Sequence, residues 1–541
     1  MQLGNALKST KKILYFTDKT GVSDGYKRAF NMLLLNAGIN HKQVVVTHIY
    51  NLVSDPLVKK GNRKAPGFNP DRKREITDAF VMRVDAIKPD IIVVSCPAIL
   101  GLLTDWDWGL ATLDKCRGGV YDWRGIPVIV TIPITAIHQQ VDERVLKDLE
   151  GEDVASEPYR VKQGGWILQR DWEKVGRFVH DKTFKIPDFV YSVCRTIADC
   201  LAAKKWLADC VLISTDIETG CYPAMITCIG FTGLRADGAC RSFVIPFYNP
   251  FNEASPGDFW ESIDDQVVAW SISQDILSNA VAKTMQNGYY DASYFIKYRK
   301  PIKNWFLDSM YMWYSLYMEL PKTLDFITSI LQDNFRYWKD DIKGIDNAAV
   351  DGAAGMEQYW RYCALDCYTT LWNTVRLTQV IAASPMGQFN YRDTFLRVLS
   401  GLQMSMRGIK ADFKRREEIR EELEAQAAQA IKQLRFIIDD PEFNINSPAQ
   451  KNALLYDVLG ARERTAKGRY VNPDSKKPDD RKRASGKIPL KMIRTEHPFF
   501  GYIIDHLDAA MEPDKQISNV CGIKLFTDRF RTAFNAAGTT T

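Results

Sequence analysis

No stretch of this chain approaches about 18 uninterrupted apolar residues, so no transmembrane helix is expected. The start, MQLGNALKSTKKILYF, has no long apolar run behind a basic opening, so no secretory signal is expected either. The 11 cysteines are scattered and never form a CxxC pair, which points to free thiols in a reducing cytoplasm. There is no internal repeat and no long low-complexity tract. Charge of either sign is nearly balanced, and a net +5 is weak evidence for an anionic partner unless the charge is clustered. What remains is an ordinary globular composition, 46% hydrophobic and 25% charged. Aromatics at 11% serve mostly as core, but they also suit stacking of bases. A chain of 541 residues is too long for one core, so about two to four domains are expected.

Residues 1–145 alternate between continuous apolar strands and helices. KKILYFTD, QVVVTHIYNL, IIVVSC and IPVIVTI are strands, with GYKRAFNMLLLNAGI and DRKREITDAFVMRVDAIKPD as helices. That pattern predicts a parallel α/β sheet covered on both faces. Residues 146–205 are less regular and read as a connector with helices and mixed charge. A second α/β unit begins near 206 with three adjacent strands, DCVLISTDIE, MITCIGFTG and RSFVIPFY, which suggests an antiparallel meander before helices return. From about 386 the chain is mainly helical. One long amphipathic helix has Asp412 as its expected N-cap, and another is expected to begin with Ser447 as N-cap and Pro448 in its first turn.

The chemistry concentrates in the second unit. In ISTDIETG, Asp216 and Glu218 stand two apart on a strand, which puts both carboxylates on one face. Two adjacent like charges call for a cation. QNGYYDASYF adds Asp291, and YWRYCALDCYTT places Tyr362 and Asp366 four apart on one helical face. Taken alone, any of these acids reads as a solvated surface group. As an ordered set they can hold two divalent cations, Mg²⁺ or Mn²⁺, that clamp a phosphodiester. Cys363 and Cys367, also four apart, read as packing residues rather than ligands.

Asp216 with Glu218, Asn287 to Asp291, and Tyr362 with Asp366 resemble the three motifs of the DEDD exonucleases, Tyr subtype, the proofreading 3′–5′ exonucleases of DNA polymerases. The resemblance spans about 206–385, and LDSMYMWYSLYMELPKTLDFITSILQD resembles the same domain in Pol I-class (family A) polymerases. It implies an RNase H-like α/β fold. It also implies that Asp216, Glu218 and Asp366 hold one metal and that Asp216 touches a second. Asp291 would reach that second metal through water, and Tyr362 would orient the attacking water. Asn287 would contact DNA, or serve simply as the turn residue before Gly288.

Residues 386–541 resemble the helical thumb and the approach to the palm of the same polymerases, in LSGLQMSMRGIKAD, FNINSPAQKNALLYDVLG and TDRFRTAFNAAGTTT. The Thr–Gly–Arg motif, fingers and palm carboxylates of that family do not follow. The expectation is therefore either a truncation or a split polymerase whose second chain carries fingers and palm. Between 461 and 491, eleven Lys or Arg face four acids, which reads as an exposed basic loop for duplex phosphates. Its candidate contacts are Arg462, Arg464, Lys467, Arg469, Lys476, Lys477, Arg481, Lys482 and Arg483.

Residues 1–145 resemble, less specifically, the uracil-DNA glycosylase fold, through GNRKAP, IKPDIIVVSCPAILGLL and IPVIVTIPITAIH. The catalytic loop of that family is not recognisable, so a degenerate DNA-binding or docking domain is expected. Asp18 and His138 are the nearest catalytic candidates, and Lys59, Lys60, Arg63 and Lys64 the DNA contacts. The whole implies the proofreading portion of a bacteriophage polymerase in the cytoplasm of an infected bacterium. It would bind single-stranded 3′ ends and primer–template DNA, without a membrane partner. The alternatives are an RNA-trimming exonuclease and a non-catalytic scaffold subunit of a split polymerase.

Overall fold

The computed structural model describes residues 10–17, 24–48, 52, 57–59, 66–68, 73–104, 115–134, 164–220, 225–248, 259–339, 352–475 and 478–522, with short pieces between 525 and 537. The chain forms two compact units, residues 1–399 with 535–541, and residues 400–534. Among the described residues no helix is long and apolar enough to cross a membrane.

The first sheet is built from the apolar runs seen in the sequence. Strands β1 (Ile13–Thr17), β2 (Val44–His48), β3 (Ile91–Val94), β4 (Val120–Trp123) and β5 (Ile126–Val130) lie in the order β2-β1-β3-β5-β4. The first four in that order pair in parallel, as continuous Val and Ile runs require. Strand β4 is an antiparallel edge that the sequence reading missed. It is only four residues long, and the turn behind it is made by Arg124 and Gly125, both at positive φ. One face is covered by α1 (Asp24–Asn36) and α4 (Gly164–Val179), through Leu33, Leu34, Leu168, Trp172 and Val175. The other is covered by α2 (Lys73–Ile87), α3 (Pro97–Thr104) and a distant segment carrying Leu324, Phe335, Tyr337 and Trp338. Helix α4 lies in the stretch read as a connector, yet its apolar stripe is core of this sheet.

Within the second sheet's span lies α5 (Ile197–Ala208), whose N-cap Thr196 forms a capping box with Asp199. The strands of this sheet are β6 (Tyr191–Val193), β7 (Cys210–Gly220), β8 (Met225–Arg235), β9 (Cys240–Pro246), β10 (Ala282–Met285) and β11 (Trp305–Asp308). Their order is β11-β10-β7-β8-β9-β6. The expected meander is present: β7, β8 and β9 are antiparallel, while β10 runs parallel to β7 and to β11. A three-strand meander extended by two parallel strands beside its first member is the RNase H-like arrangement. The 31-residue helix α10 (Gly352–Ala382) crosses this sheet and buries Cys363, Cys367, Tyr368, Leu371 and Trp372. Helices α6 (Ile263–Ser278), α7 (Tyr289–Lys297), α8 (Ser309–Leu316) and α9 (Leu324–Leu331) complete the α/β unit, and α11 (Pro385–Arg407) leads out of it.

The unit 400–534 is mainly helical, with α12 (Phe413–Ile437), α13 (Pro448–Asn452), α14 (Lys487–Glu496) and α15 (Gly501–Cys521). Its core is Leu434, Leu455, Ile493, Ile504 and Leu507. Asp412 caps α12 by accepting from Arg415 N at 3.0 Å, and Ser447 caps α13 with Pro448 in its first turn, as read from the sequence. The stretch read as one exposed basic loop is more ordered than expected. It ends in α14, because Leu490 and Ile493 recur three apart and enter the core.

Candidate metal-dependent nuclease site

Along β7 the side chains alternate, so Ile217 turns into the core while Asp216 and Glu218 share the opposite face, half-buried. Across the ladder Asp216 pairs with Gly230 and Glu218 with Cys228. Gly230 decides how near α10 can come. A Cβ there would stand 2.6 Å from Cys367 Sγ and 2.8 Å from Cys363 Sγ. The bare backbone lets the helix lie against the strand, and that closeness brings Tyr362, Cys363 and Asp366 to the acids. Ligand atoms of Asp216, Glu218 and Cys363 lie within 4.8 Å of one another. Both thiols are fully buried and wedge between helix and sheet, but Cys363 Sγ also stands in the ligand group with the two acids, which the packing reading did not foresee.

Asp291 arrives from the other side. It sits in the first turn of α7, is 3% exposed, and accepts the backbone N–H of Ile217 at 3.0 Å, the residue between the two strand acids. The turn that aims it is fixed by an acid that the sequence reading did not single out. Asp308, fully buried at the end of β11, accepts Gly288 N at 2.7 Å and Asn287 N at 3.2 Å while capping α8. Asn287 takes the left-handed conformation at φ 56°, and its side chain accepts from Tyr311 OH at 3.3 Å. Its visible work is therefore the turn.

Asp366 and Tyr362 project from α10. Neither oxygen of Asp366 is idle: Trp338 Nε1 donates to Oδ1 at 2.6 Å, and Lys339 Nζ donates to Oδ2. The same ammonium donates to Tyr362 OH at 2.8 Å. Neither Trp338 nor Lys339 was found from sequence. They lie 28 and 27 residues before Asp366, in FRYWKDD, with no periodicity to connect them.

The electrostatics follow from crowding. Burial, then Asp291, Glu218 and Asp366, raises Asp216 well above the usual carboxylate range. Burial, with Cys363 and Asp366, does the same to Glu218, and burial pushes Asp291 up to about 8. Tyr362 is raised as well, by burial and then by Asp366, so its hydroxyl keeps its proton at neutral pH. Burial works against the charge of Lys339, but Asp366, Asp216 and Glu218 outweigh it and its pKa rises. A site that lifts several carboxylates at once is short of positive charge. Of the expected metal set, Asp216 and Glu218 share a group of close ligand atoms with Cys363, and among the described residues Asp291 and Asp366 are not in that group.

The candidate DNA contacts of the second unit separate into classes. Arg462, Lys467, Arg469, Arg481 and Lys482 are exposed. Arg462 lies over the Tyr470 ring at 3.6 Å. Arg483 is engaged by both oxygens of Asp457, at 2.7 and 3.0 Å. Arg464 is 5% exposed and donates to Glu496 and to the Gly468 carbonyl, so it braces the fold instead of facing solvent. Lys476, Lys477, Asp18, His138, Lys60, Arg63 and Lys64 lie outside the described residues, as does the side chain of Lys59.

No protein-family profile matches this chain, and no curated protein matches it. Similar solved structures include the POL domain of Pol1 from M. smegmatis in complex with DNA primer-template and dNTP. It is 15% identical with a TM-score of 0.41, over 62% of this chain and 50% of that one. The catalytic core of RRP6 from Trypanosoma brucei is 13% identical with a TM-score of 0.28, over 40% and 54% of the two chains. Trypanosoma brucei RNase D in complex with RNA is 14% identical with a TM-score of 0.27, over 35% and 63%. The chain spans about half the length of the first of these.

Proposed function

We propose that this chain is a metal-dependent 3′–5′ exonuclease that proofreads DNA as part of a Pol I-class polymerase of bacteriophage type. The observation that carries this reading is the convergence of Asp216, Glu218, Asp291, Tyr362 and Asp366 from β7, α7 and α10. Asp216, Glu218 and Asp366, with Asp291 alongside, would hold two divalent cations. When bound, such ions supply charge stabilisation for the phosphodiester and an acidified water. The protein's own groups do the rest. Tyr362, kept neutral by its surroundings, orients the water by hydrogen bonding and does not act as a base. Trp338 holds the Asp366 carboxylate at a fixed angle. Tyr290, 43% exposed and bonded to Thr219 OH at 2.8 Å, offers a face on which a terminal base can stack.

The helical unit supports a DNA duplex as the larger substrate. Its exposed cations Arg462, Lys467, Arg469, Arg481 and Lys482 are of the kind that neutralise phosphates. On the glycosylase resemblance alone, we assign the first sheet a docking role without base excision. The test is digestion of 3′-labelled single-stranded DNA and RNA with Mg²⁺. DNA should be shortened to nucleoside monophosphates. Asp216→Ala and Asp366→Ala should each slow this at least about a hundredfold. Preferential digestion of RNA would favour a trimming ribonuclease, and wild-type digestion by Asp216→Ala would remove the site assignment.

A further inference from the structure

Four carboxylates converge here, and among the described residues the side-chain cation bonded to them is Lys339. We infer that Lys339 is a tethered stand-in for a divalent cation: it neutralises Asp366 in the metal-free protein and must let go when that carboxylate takes a metal ion. The inference rests on the exonuclease reading above.

Three observations carry it. Asp216 and Glu218 lie within 4.8 Å of each other together with Cys363, whereas Asp366 is not in that group. Its two oxygens are instead bound to Trp338 and Lys339. So the acid that should close the metal site is spoken for by an ammonium. The ammonium is also held over two rings, 4.7 Å from the centre of Tyr362 and 5.4 Å from that of Trp338. This is a prepared berth for a cation, since ring faces and a carboxylate both favour positive charge. Finally, the lysine is delivered by a restrained segment. Phe335, Tyr337 and Trp338 are buried in the core of the first sheet, and Phe335 O accepts Val120 N at 2.8 Å. The backbone just before Lys339 is thus fixed, and its long side chain is the part able to swing away.

The arrangement sets a competition. A lysine that leaves Asp366 gives up a charge-assisted bond, and that loss is subtracted from the metal's apparent affinity. In place on Asp366, it offsets part of the repulsion among the metal-free acids.

The experiment is calorimetric titration of the metal-stripped full chain with MnCl₂, with thermal melts in parallel. Lys339→Met and Lys339→Gln should bind Mn²⁺ at least about tenfold more tightly than the wild type. Their metal-free forms should melt lower, and Mn²⁺ should raise their melting temperature further than it raises the wild type's. Lys339→Arg keeps the charge and should resemble the wild type. Equal or weaker Mn²⁺ binding by both uncharged variants, with Asp366→Asn still abolishing it, would overturn the stand-in alone. A wild type that binds no Mn²⁺ at millimolar concentration would overturn both this inference and the exonuclease reading.

Discussion

Gly230→Ala tests whether the site is made by the closeness of helix and strand. The added Cβ would meet Cys367 Sγ at 2.6 Å, Cys363 Sγ at 2.8 Å and the Cys363 carbonyl at 3.2 Å. Ordinary contacts of this type need about 3.5–4.0 Å, so α10 must retreat by roughly 1 Å. The alanine methyl and the backbone carbonyl cannot turn aside, and the two sulfurs, buried between helix and sheet, could yield only by changing χ1. Overpacking of this size costs about 1–3 kcal/mol of stability. The larger effect should be on rate, since a misplacement of about 1 Å at a reacting centre can cost around a hundredfold. The assay is single-turnover digestion of 3′-labelled DNA at saturating Mg²⁺, with urea unfolding on the same samples. Removing the sulfurs in Gly230→Ala, Cys363→Ala, Cys367→Ala should recover much of both losses, because the cause is volume. Wild-type turnover in the single variant would refute the argument that the glycine sets the distance between Asp216 and Asp366.

Burial pushes Asp308 up to about 7 from the usual 3.8. The folded state therefore holds a proton that the unfolded state releases, and its contribution to stability is fully present below about 4 and lost as pH rises through 7. The unfolding free energy of the metal-free protein, from urea titrations, should fall between about pH 4 and 7, by up to about 1.4 kcal/mol per pH unit for this group. Asp308→Asn should flatten that part of the slope and loosen the Asn287–Gly288 turn, seen as slower digestion at every pH. In the helical unit, Arg464→Met should lower the melting temperature, because it strips Glu496 and the Gly468 carbonyl of a buried partner. Arg469→Ala, an exposed charge, should leave the melt unchanged and reduce the salt dependence of duplex binding by about one counterion, measured by fluorescence anisotropy.

What the sequence revealed and what it hid divide along physical lines. Asp216 and Glu218 were legible because a strand imposes a period of two, and Tyr362 with Asp366 because a helix brings positions four apart together. The parallel sheet was legible as unbroken Val and Ile runs. Trp338 and Lys339 were hidden because they reach Asp366 through tertiary packing, and no local period links them. Asp308 was hidden for a related reason: LDSMYM resembles any strand-to-helix junction, and only the fold shows that the cap also holds the turn before Asp291. Arg464 illustrates the opposite error. Charge density predicted exposure, but the one arginine paired with Glu496 was drawn inward.

The segment carrying Trp338 and Lys339 links the two sheets of residues 1–399, for it bonds Asp366 beside the second sheet and packs in the core of the first. A buried polar seam fastens it. Lys174 on α4, 1% exposed, donates to the carbonyls of Gly118 at 2.7 Å and of Ser329 and Gln332 at 2.8 Å. One turn along, Arg177 grips Asp333 with contacts of 2.6 and 3.0 Å. Helix α4 therefore ties the strand-β4 side of the first sheet to the turn from which Trp338 and Lys339 emerge. Lys174→Met keeps the length and removes all three bonds, and each orphaned carbonyl costs about 1–3 kcal/mol unless water enters. The variant should remain folded in strong osmolyte and digest DNA more slowly there, because the carrier of Trp338 has lost its anchor. Lys204→Met, which breaks only the exposed pair with Asp275, is the control and should digest at the wild-type rate. Undiminished digestion by folded Lys174→Met would mean that the nuclease sheet positions Trp338 and Lys339 without help, and that the first sheet contributes nothing to catalysis.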